Sequence, residues 1–249
     1  MIVALVLFLI AIGIIGAAVM MEARQRAQIE AARDIGNYAR RAQNLSQALS
    51  VMPRGYLPRH GVLKLLDEIE HCAKIMAKSG QTTMETHGRT LKSSVAEQRE
   101  EIEQTGATGP ATANITSKQR VEVIREAAKY LHGFFVKKFS RNAQYCEGPQ
   151  EILTALDFSR CRVVVDFFNN AAKHQLKEYD PYKARLALER AAGLLKPWAE
   201  NVTWASHAYQ DYSKRVRQLA DAQPKTTGSE KQWSDWEAEN DWKKKPVYD

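Results

Sequence analysis

Residues 1–21 read MIVALVLFLIAIGIIGAAVMM, and this opening run contains no charged side chain. An α-helix rises ~1.5 Å per residue, so a helix from Ile2 to Met21 is ~30 Å long, which matches the hydrocarbon core of a bilayer. The run therefore predicts a transmembrane anchor over residues 1–21, with residues 2–21 integral to the membrane.

The charges beside the run predict its orientation. Basic residues follow it at once: Arg24, Arg26, Arg33, Arg40 and Arg41. Lys and Arg near a span tend to stay on the cytoplasmic side. We therefore expect a short external N-terminus and a cytoplasmic body at a bacterial-type inner (plasma) membrane. The alternative is an exported helical protein with a cleaved signal peptide, cut at Gly16-Ala17-Ala18, although a basic region before the run is missing.

A helical stalk is predicted over residues 22–52, continuous with the anchor. Apolar or small side chains recur there at steps of three and four residues, as on one face of a helix. The set is Ile29, Ala32, Ile35, Tyr38, Ala42, Leu45, Leu49 and Met52. This stripe favours packing on the chain's own domain or a loose coiled coil. Gly13 and Ala17, four residues apart in the anchor, have the small-residue spacing that lets two membrane helices pack closely, which favours a homo-oligomer.

The remaining chain predicts an all-α fold, with an antiparallel helical bundle after the stalk. Two prolines and two glycines within residues 53–61 predict a turn. A helical segment over 62–104, a linker over 105–117 and a helical bundle over 118–222 follow. Ser117 is the predicted cap of the first bundle helix. Apolar residues at steps of three and four predict the core stripe of that helix: Val121, Ile124, Ala128, Leu131, Phe135 and Phe139. Within the bundle, Asp180-Pro181 predicts a helix start. Pro197 predicts a kink or break.

The tail over residues 223–249 lacks a hydrophobic period, so we expect it to be flexible. It nevertheless carries Trp233, Trp236 and Trp242 among acidic residues. Tryptophan is enriched at binding hot spots. These three residues are therefore our candidates for binding a protein partner; the alternative is that the tail covers a groove on its own bundle.

The basic excess of the chain is concentrated in one predicted helix. Residues 118–145 hold seven basic and two acidic side chains, while the whole chain has a net charge of +7. We take Lys129, Lys137, Lys138 and Arg141, with Phe134 beside them, as a candidate surface for an anionic ligand. Nucleic acid is the less favoured ligand because no RNA-binding or DNA-binding motif accompanies the patch. A plain solvated helix face is the alternative.

Catalytic signals are sparse, and no phosphate loop, dinucleotide fingerprint, nucleophile elbow or zinc-protease motif occurs. We therefore expect no enzyme activity and no cofactor. The side chains Arg162, Asp166, Asn170, His174 and Glu178 recur every four residues, which indicates either a cleft lining or the wet side of a helix. Glu68 and His71 have the spacing of a di-iron ligand pair, but the chain has no second copy. The three well-separated cysteines do not have the pattern of a disulfide framework, and their sparse count fits a reducing compartment.

Overall fold

The computed structural model describes residues 2–105, 113–141 and 148–221, except for the side chains of residues 2–18, Thr105 and Arg141. The predicted all-α fold is confirmed, since these residues form seven α-helices and no strand. The helices are α1 (Ile2–Val51), α2 (Arg59–Ala77), α3 (Thr82–Thr105), α4 (Lys118–Arg141), α5 (Pro149–Lys177), α6 (Pro181–Leu195) and α7 (Thr203–Asp221).

Local sequence signals set several helix ends. The side chain of Asp180 accepts a hydrogen bond from the backbone N–H of Lys183, and Pro181 occupies the first position of α6. Pro197 ends that helix, because the chain passes from Leu195 into a single 3₁₀ turn, Lys196–Trp198. Ser117 Oγ accepts from the N–H of Arg120 at the start of α4. The predicted cap, start and break are confirmed.

The chain divides into two compact units, of which the first comprises residues 1–46 and 63–104. Its core is built from small and aliphatic side chains: Ala42, Leu45, Leu65, Leu66, Ile69, Cys72, Ala73, Met76 and Val95. Ion pairs join its helices at the surface. Arg41 of α1 lies 2.6 Å from Glu68 of α2, and Arg99 of α3 lies 2.7 Å from Asp67 of α2.

The second unit comprises residues 47–62 and 105–249 and contains α4 to α7. Here α5 packs against both α4 and α6, and α6 packs in turn against α7. Because α4, α6 and two irregular segments, residues 53–58 and 113–115, cover different sides of α5, residues 161–169 are all buried. The predicted core stripe of α4 is confirmed, since all of its members are buried: Val121, Ile124, Ala128, Leu131, Phe135 and Phe139.

The structure adds a finding on the predicted anchor and stalk. In the described part of the chain, no helix combines the length and the apolar character needed to cross a bilayer. The backbone of α1 is continuous from Ile2 to Val51. Most of the anchor predicted over residues 1–21 falls on side chains outside the described residues, and it stays a prediction.

Candidate functional site

The most concentrated chemistry of the second unit lies in a row of polar side chains on α5. We define the α5 polar row as Ser159, Arg162, Asp166 and Asn170. The first three are at most 3% exposed. The interpretation of this stretch as the wet side of a helix is therefore wrong for Arg162 and Asp166. The reason is tertiary, because two segments distant in sequence, residues 53–58 and 113–115, cover this face of α5.

Arg162 is held by a carbonyl and by two aromatic rings. Its Nη1 donates a 2.7 Å hydrogen bond to the carbonyl oxygen of Gly55. Its guanidinium carbon lies 4.4 Å from the ring centroid of Tyr56 and 4.4 Å from that of Trp204. A cation over an aromatic face gains attraction that increases once water is excluded. These contacts offset part of the cost of burying the guanidinium, although burial still lowers the pKa of Arg162.

Asp166 supplies the negative charge of the row. Its Oδ2 accepts hydrogen bonds from the Tyr56 hydroxyl at 2.7 Å and from the Ala113 N–H at 3.3 Å. Its Oδ1 has no hydrogen-bond donor among the described residues. Burial raises the pKa of Asp166, while the Tyr56 hydrogen bond and the Arg162 cation oppose that rise. Burial and the nearby Asp166 carboxylate also raise the pKa of Tyr212, to about 12.

Asn170 and Ser159, at the two ends of the row, contact backbone carbonyl groups. Asn170 Nδ2 donates to the carbonyls of Ala113 at 2.8 Å and Ile115 at 3.3 Å. Ser159 Oγ lies 2.6 Å from the carbonyl oxygen of Ala155 and 3.1 Å from that of Tyr56, and its one proton is shared between these two acceptors. The row thus satisfies buried backbone groups of two irregular segments that no helix or sheet supports. The row therefore holds residues 53–58 and 113–115 against α5, and its two charged residues, Arg162 and Asp166, are buried.

The two remaining residues of the predicted ladder do not join this row. His174 and Glu178 are both exposed, and their side chains lie 3.4 Å apart. His174 follows Arg162 by 12 residues, or ~18 Å along the helix axis. The structure therefore does not bring Arg162, Asp166 and His174 together as the lining of one cleft.

The predicted spacing of Glu68 and His71 leads to ordinary surface contacts. Glu68 pairs with Arg41, and the His71 ring meets Tyr38 edge-on at 6.4 Å between centroids. No group of three or more His, Cys, Asp and Glu side chains that could hold a metal ion occurs among the residues the structure describes. Cys72 and Cys161 are both buried, and burial raises the pKa of Cys161 to about 12. The protonated thiol of Cys161 is a weak nucleophile.

The candidate anionic-binding residues lie on α4. Lys129 and Lys137 are exposed, whereas Lys138 is half-buried, with its ammonium 5.8 Å from the centroid of the Phe134 ring. The side chain of Arg141 lies outside the described residues. Phe134 is also half-buried.

Sequence reasoning missed the exposed apolar residues of α4, which are Val123, Tyr130 and Val136. Their exposed fractions are 48%, 40% and 43%. A signal for them was present in the sequence, because all three fall outside the core stripe on a 3.6-residue period. The outward side of α4 is therefore partly apolar as well as basic.

A second exposed apolar stretch lies on α1. Every residue from Val19 to Asp34 is exposed, and Val19, Met20 and Met21 are 60%, 68% and 62% exposed. Packing begins only further along the helix, where Ala42 and Leu45 are fully buried. In contrast, the candidate partner-binding residues Trp233, Trp236 and Trp242 lie outside the described residues.

Comparison with known proteins returned no relatives. No protein-family model matches the chain, and no curated protein or solved structure was found to be similar.

Proposed function

We propose that this chain is a single-pass, membrane-anchored helical interaction protein whose body lies on the cytoplasmic side. In this proposal α1 lodges residues 2–21 in the bilayer and continues as a stalk. The two helical units then form a scaffold that holds a protein partner near the membrane. The polar groups of the α5 polar row suit such a scaffold, because they fasten the chain to itself.

The observation that carries the proposal is the exposure of Val19, Met20 and Met21. Successive residues of an α-helix are ~100° apart, so three consecutive apolar residues surround most of the helix. Each is at least 60% exposed, and they continue the uncharged run that begins at residue 1. A helix that is apolar on all sides and unpacked on its own chain is typical of contact with lipid.

The membrane part of the proposal is tested by fractionation and by sequencing the N-terminus. We expect the protein to stay in the membrane pellet after carbonate extraction, with its N-terminus uncut. Replacing Ile10 and Ile14 by Lys should release it, because each lysine near the centre of a span costs about 2.5–3.5 kcal/mol. Ile29→Lys/Ala32→Lys is the matched control, since it adds the same two charges at exposed residues that lie beyond the predicted span. A soluble wild type, or a mature chain that begins after Ala18, would refute the anchor.

The partner part is tested separately by affinity capture of the tagged full-length chain. Deleting residues 229–249 should remove a specific set of captured proteins if the tryptophans dock a partner. Restoring the tail with Trp233, Trp236 and Trp242 changed to Ala should fail to recover that set. Identical captures with and without the tail would exclude it as the docking segment.

A further inference from the structure

The outward side of α4 carries a compact patch that combines basic and apolar residues. We define the α4 basic–apolar face as Lys129, Tyr130, Gly133, Val136 and Lys137. We propose that this face binds the anionic phospholipid surface of a membrane. The inference rests on the anchor proposed above, which would keep the face within reach of a bilayer.

The helix repeat places these five residues side by side. Their spacings of three, four and seven residues confine them to an arc of about 120° and to ~12 Å along the axis. Lys129 and Lys137 are exposed, and Tyr130 and Val136 are at least 40% exposed. A Cβ atom added to Gly133 would meet nothing within 4 Å, so the centre of the patch is open. The face is therefore free to approach a flat surface.

Charge complementarity selects an anionic ligand. Residues 127–141 contain four basic side chains, at Lys129, Lys137, Lys138 and Arg141, and no Asp or Glu. The acidic residues of α4, Glu122 and Glu126, both precede the face. Each lysine near an anionic leaflet strengthens association by about fivefold, because the surface potential attracts it.

The apolar members favour a lipid surface over a nucleic acid. A tyrosine ring suits the headgroup level of a bilayer, where one end meets water and the other meets acyl chains. Lysine stems can lie along the same boundary while their ammonium groups stay hydrated. The proposed membrane anchor also keeps the lipid surface at a high local concentration around the α4 basic–apolar face. Even a weak contact between the face and the bilayer is then populated.

The test uses the full-length chain in vesicles, with an environment-sensitive NBD label on Val136→Cys. Cys146→Ser removes one native thiol, and Cys72 and Cys161 are buried. Vesicles contain a doxyl-lipid quencher and either phosphatidylcholine alone or about 30% phosphatidylglycerol. We expect at least about twofold stronger quenching in the anionic vesicles, because the label would then lie at the lipid surface. A label at the exposed Gln210 of α7 should show no difference.

Charge reversal provides the specificity control. The variant Lys129→Glu/Lys137→Glu should weaken association of the face by at least about 25-fold at low salt and remove the difference between vesicles. Lys214→Glu/Arg217→Glu on α7 makes the same change in net charge and should leave it intact. Equal quenching in both vesicles, or quenching that survives reversal of Lys129 and Lys137, overturns the proposal.

Two further outcomes are distinguishable. Protein that fails to float with either type of vesicle refutes the anchor itself, and this is visible before any fluorescence is read. Binding to a duplex oligonucleotide that requires Lys129 and Lys137, without lipid-dependent quenching, overturns the lipid proposal and makes the face a nucleic-acid surface.

Discussion

The hydroxyl of Tyr56 donates a 2.7 Å hydrogen bond to Asp166 Oδ2, across 110 positions of sequence. Tyr56 lies in the turn between α1 and α2, whereas Asp166 lies at the buried centre of α5. The same tyrosine ring faces the guanidinium of Arg162. One residue of an irregular turn therefore contacts both Asp166 and Arg162. A hydrogen bond and a cation–π contact hold the turn in place, in addition to apolar packing.

Removing the Tyr56 hydroxyl should destabilise the second unit. Tyr56→Phe keeps the ring but takes a donor from a buried carboxylate, which costs about 1–3 kcal/mol. Urea unfolding in detergent, followed by tryptophan fluorescence, measures the change, since every tryptophan follows residue 197. Tyr130→Phe on the outward side of α4 is the control and should change the free energy of unfolding by less than about 0.5 kcal/mol. Equal effects of the two variants would mean that the hydrogen bond contributes little.

Arg162 and Asp166 should be energetically coupled. Arg162→Met leaves Asp166 as a buried charge without its cation, which we expect to cost about 3–5 kcal/mol. Adding Asp166→Asn removes the stranded charge, so the double variant should be more stable than the sum of the single effects by about 1–3 kcal/mol. Strict additivity in this double-mutant cycle would show that the two charges do not interact.

The pH dependence of the Arg162→Met variant gives an independent check. Burial raises the pKa of Asp166, and loss of the nearby cation should raise it further. A carboxyl group with a raised folded-state pKa binds its proton more tightly in the folded state, so its contribution to stability is greatest at low pH and falls as pH rises. The destabilisation by Arg162→Met, relative to wild type, should therefore shrink as the pH is lowered from about 7.5 to 4.5. In the Asp166→Asn background this pH effect should vanish.

Periodicity could predict the fold and the inner side of α4, but it could not predict the α5 polar row. The repeat of apolar residues is a local property, and all six predicted core residues of α4 are buried. Whether Arg162 and Asp166 face water depends on residues 53–58 and 113–115, which are distant in sequence. A four-residue spacing looks the same on a wet face and on a buried one.

The candidate α4 surface was partly predictable, because some of its properties are local to the sequence and others depend on tertiary packing. Counting charges identified Lys129 and Lys137, because a local excess of basic residues is visible in the chain itself. The exposure of Tyr130 and Val136, and the partial burial of Phe134 and Lys138, depend on which part of α4 meets its neighbours. Their positions on the helix become informative only once the core side has been located.

Close packing in the first unit should make Gly88 intolerant of a side chain. A Cβ there would lie 2.7 Å from the carbonyl oxygen of Ala73 and 2.8 Å from the backbone nitrogen of Ala77. Gly88→Ala should therefore cost about 1–3 kcal/mol, because α3 must move away from backbone atoms of α2. Gly36→Ala is the control, since nothing lies within 4 Å of its Cβ position, and alanine should stabilise α1 there by about 0.5–1 kcal/mol. Unfolding followed by circular dichroism measures both, and a stabilising Gly88→Ala would contradict the close approach.

The N-cap of α6 should give the second unit a sensitivity to acid. Burial alone would raise the pKa of Asp180, but hydrogen bonds from the backbone and side chain of Lys183 outweigh it and lower the pKa. A carboxyl group with a lowered folded-state pKa stabilises the fold above its unfolded pKa, and that stabilisation is lost as the pH falls through the folded value.

Asp180→Ala should cost about 1 kcal/mol at neutral pH, whereas Asp180→Asn keeps an acceptor for the Lys183 N–H and should cost less. Below about pH 4 the wild type should lose stability relative to Asp180→Asn, as urea unfolding across that range would show. A constant difference between these two proteins from neutral to acid pH would mean that the charge of Asp180 adds nothing to the cap.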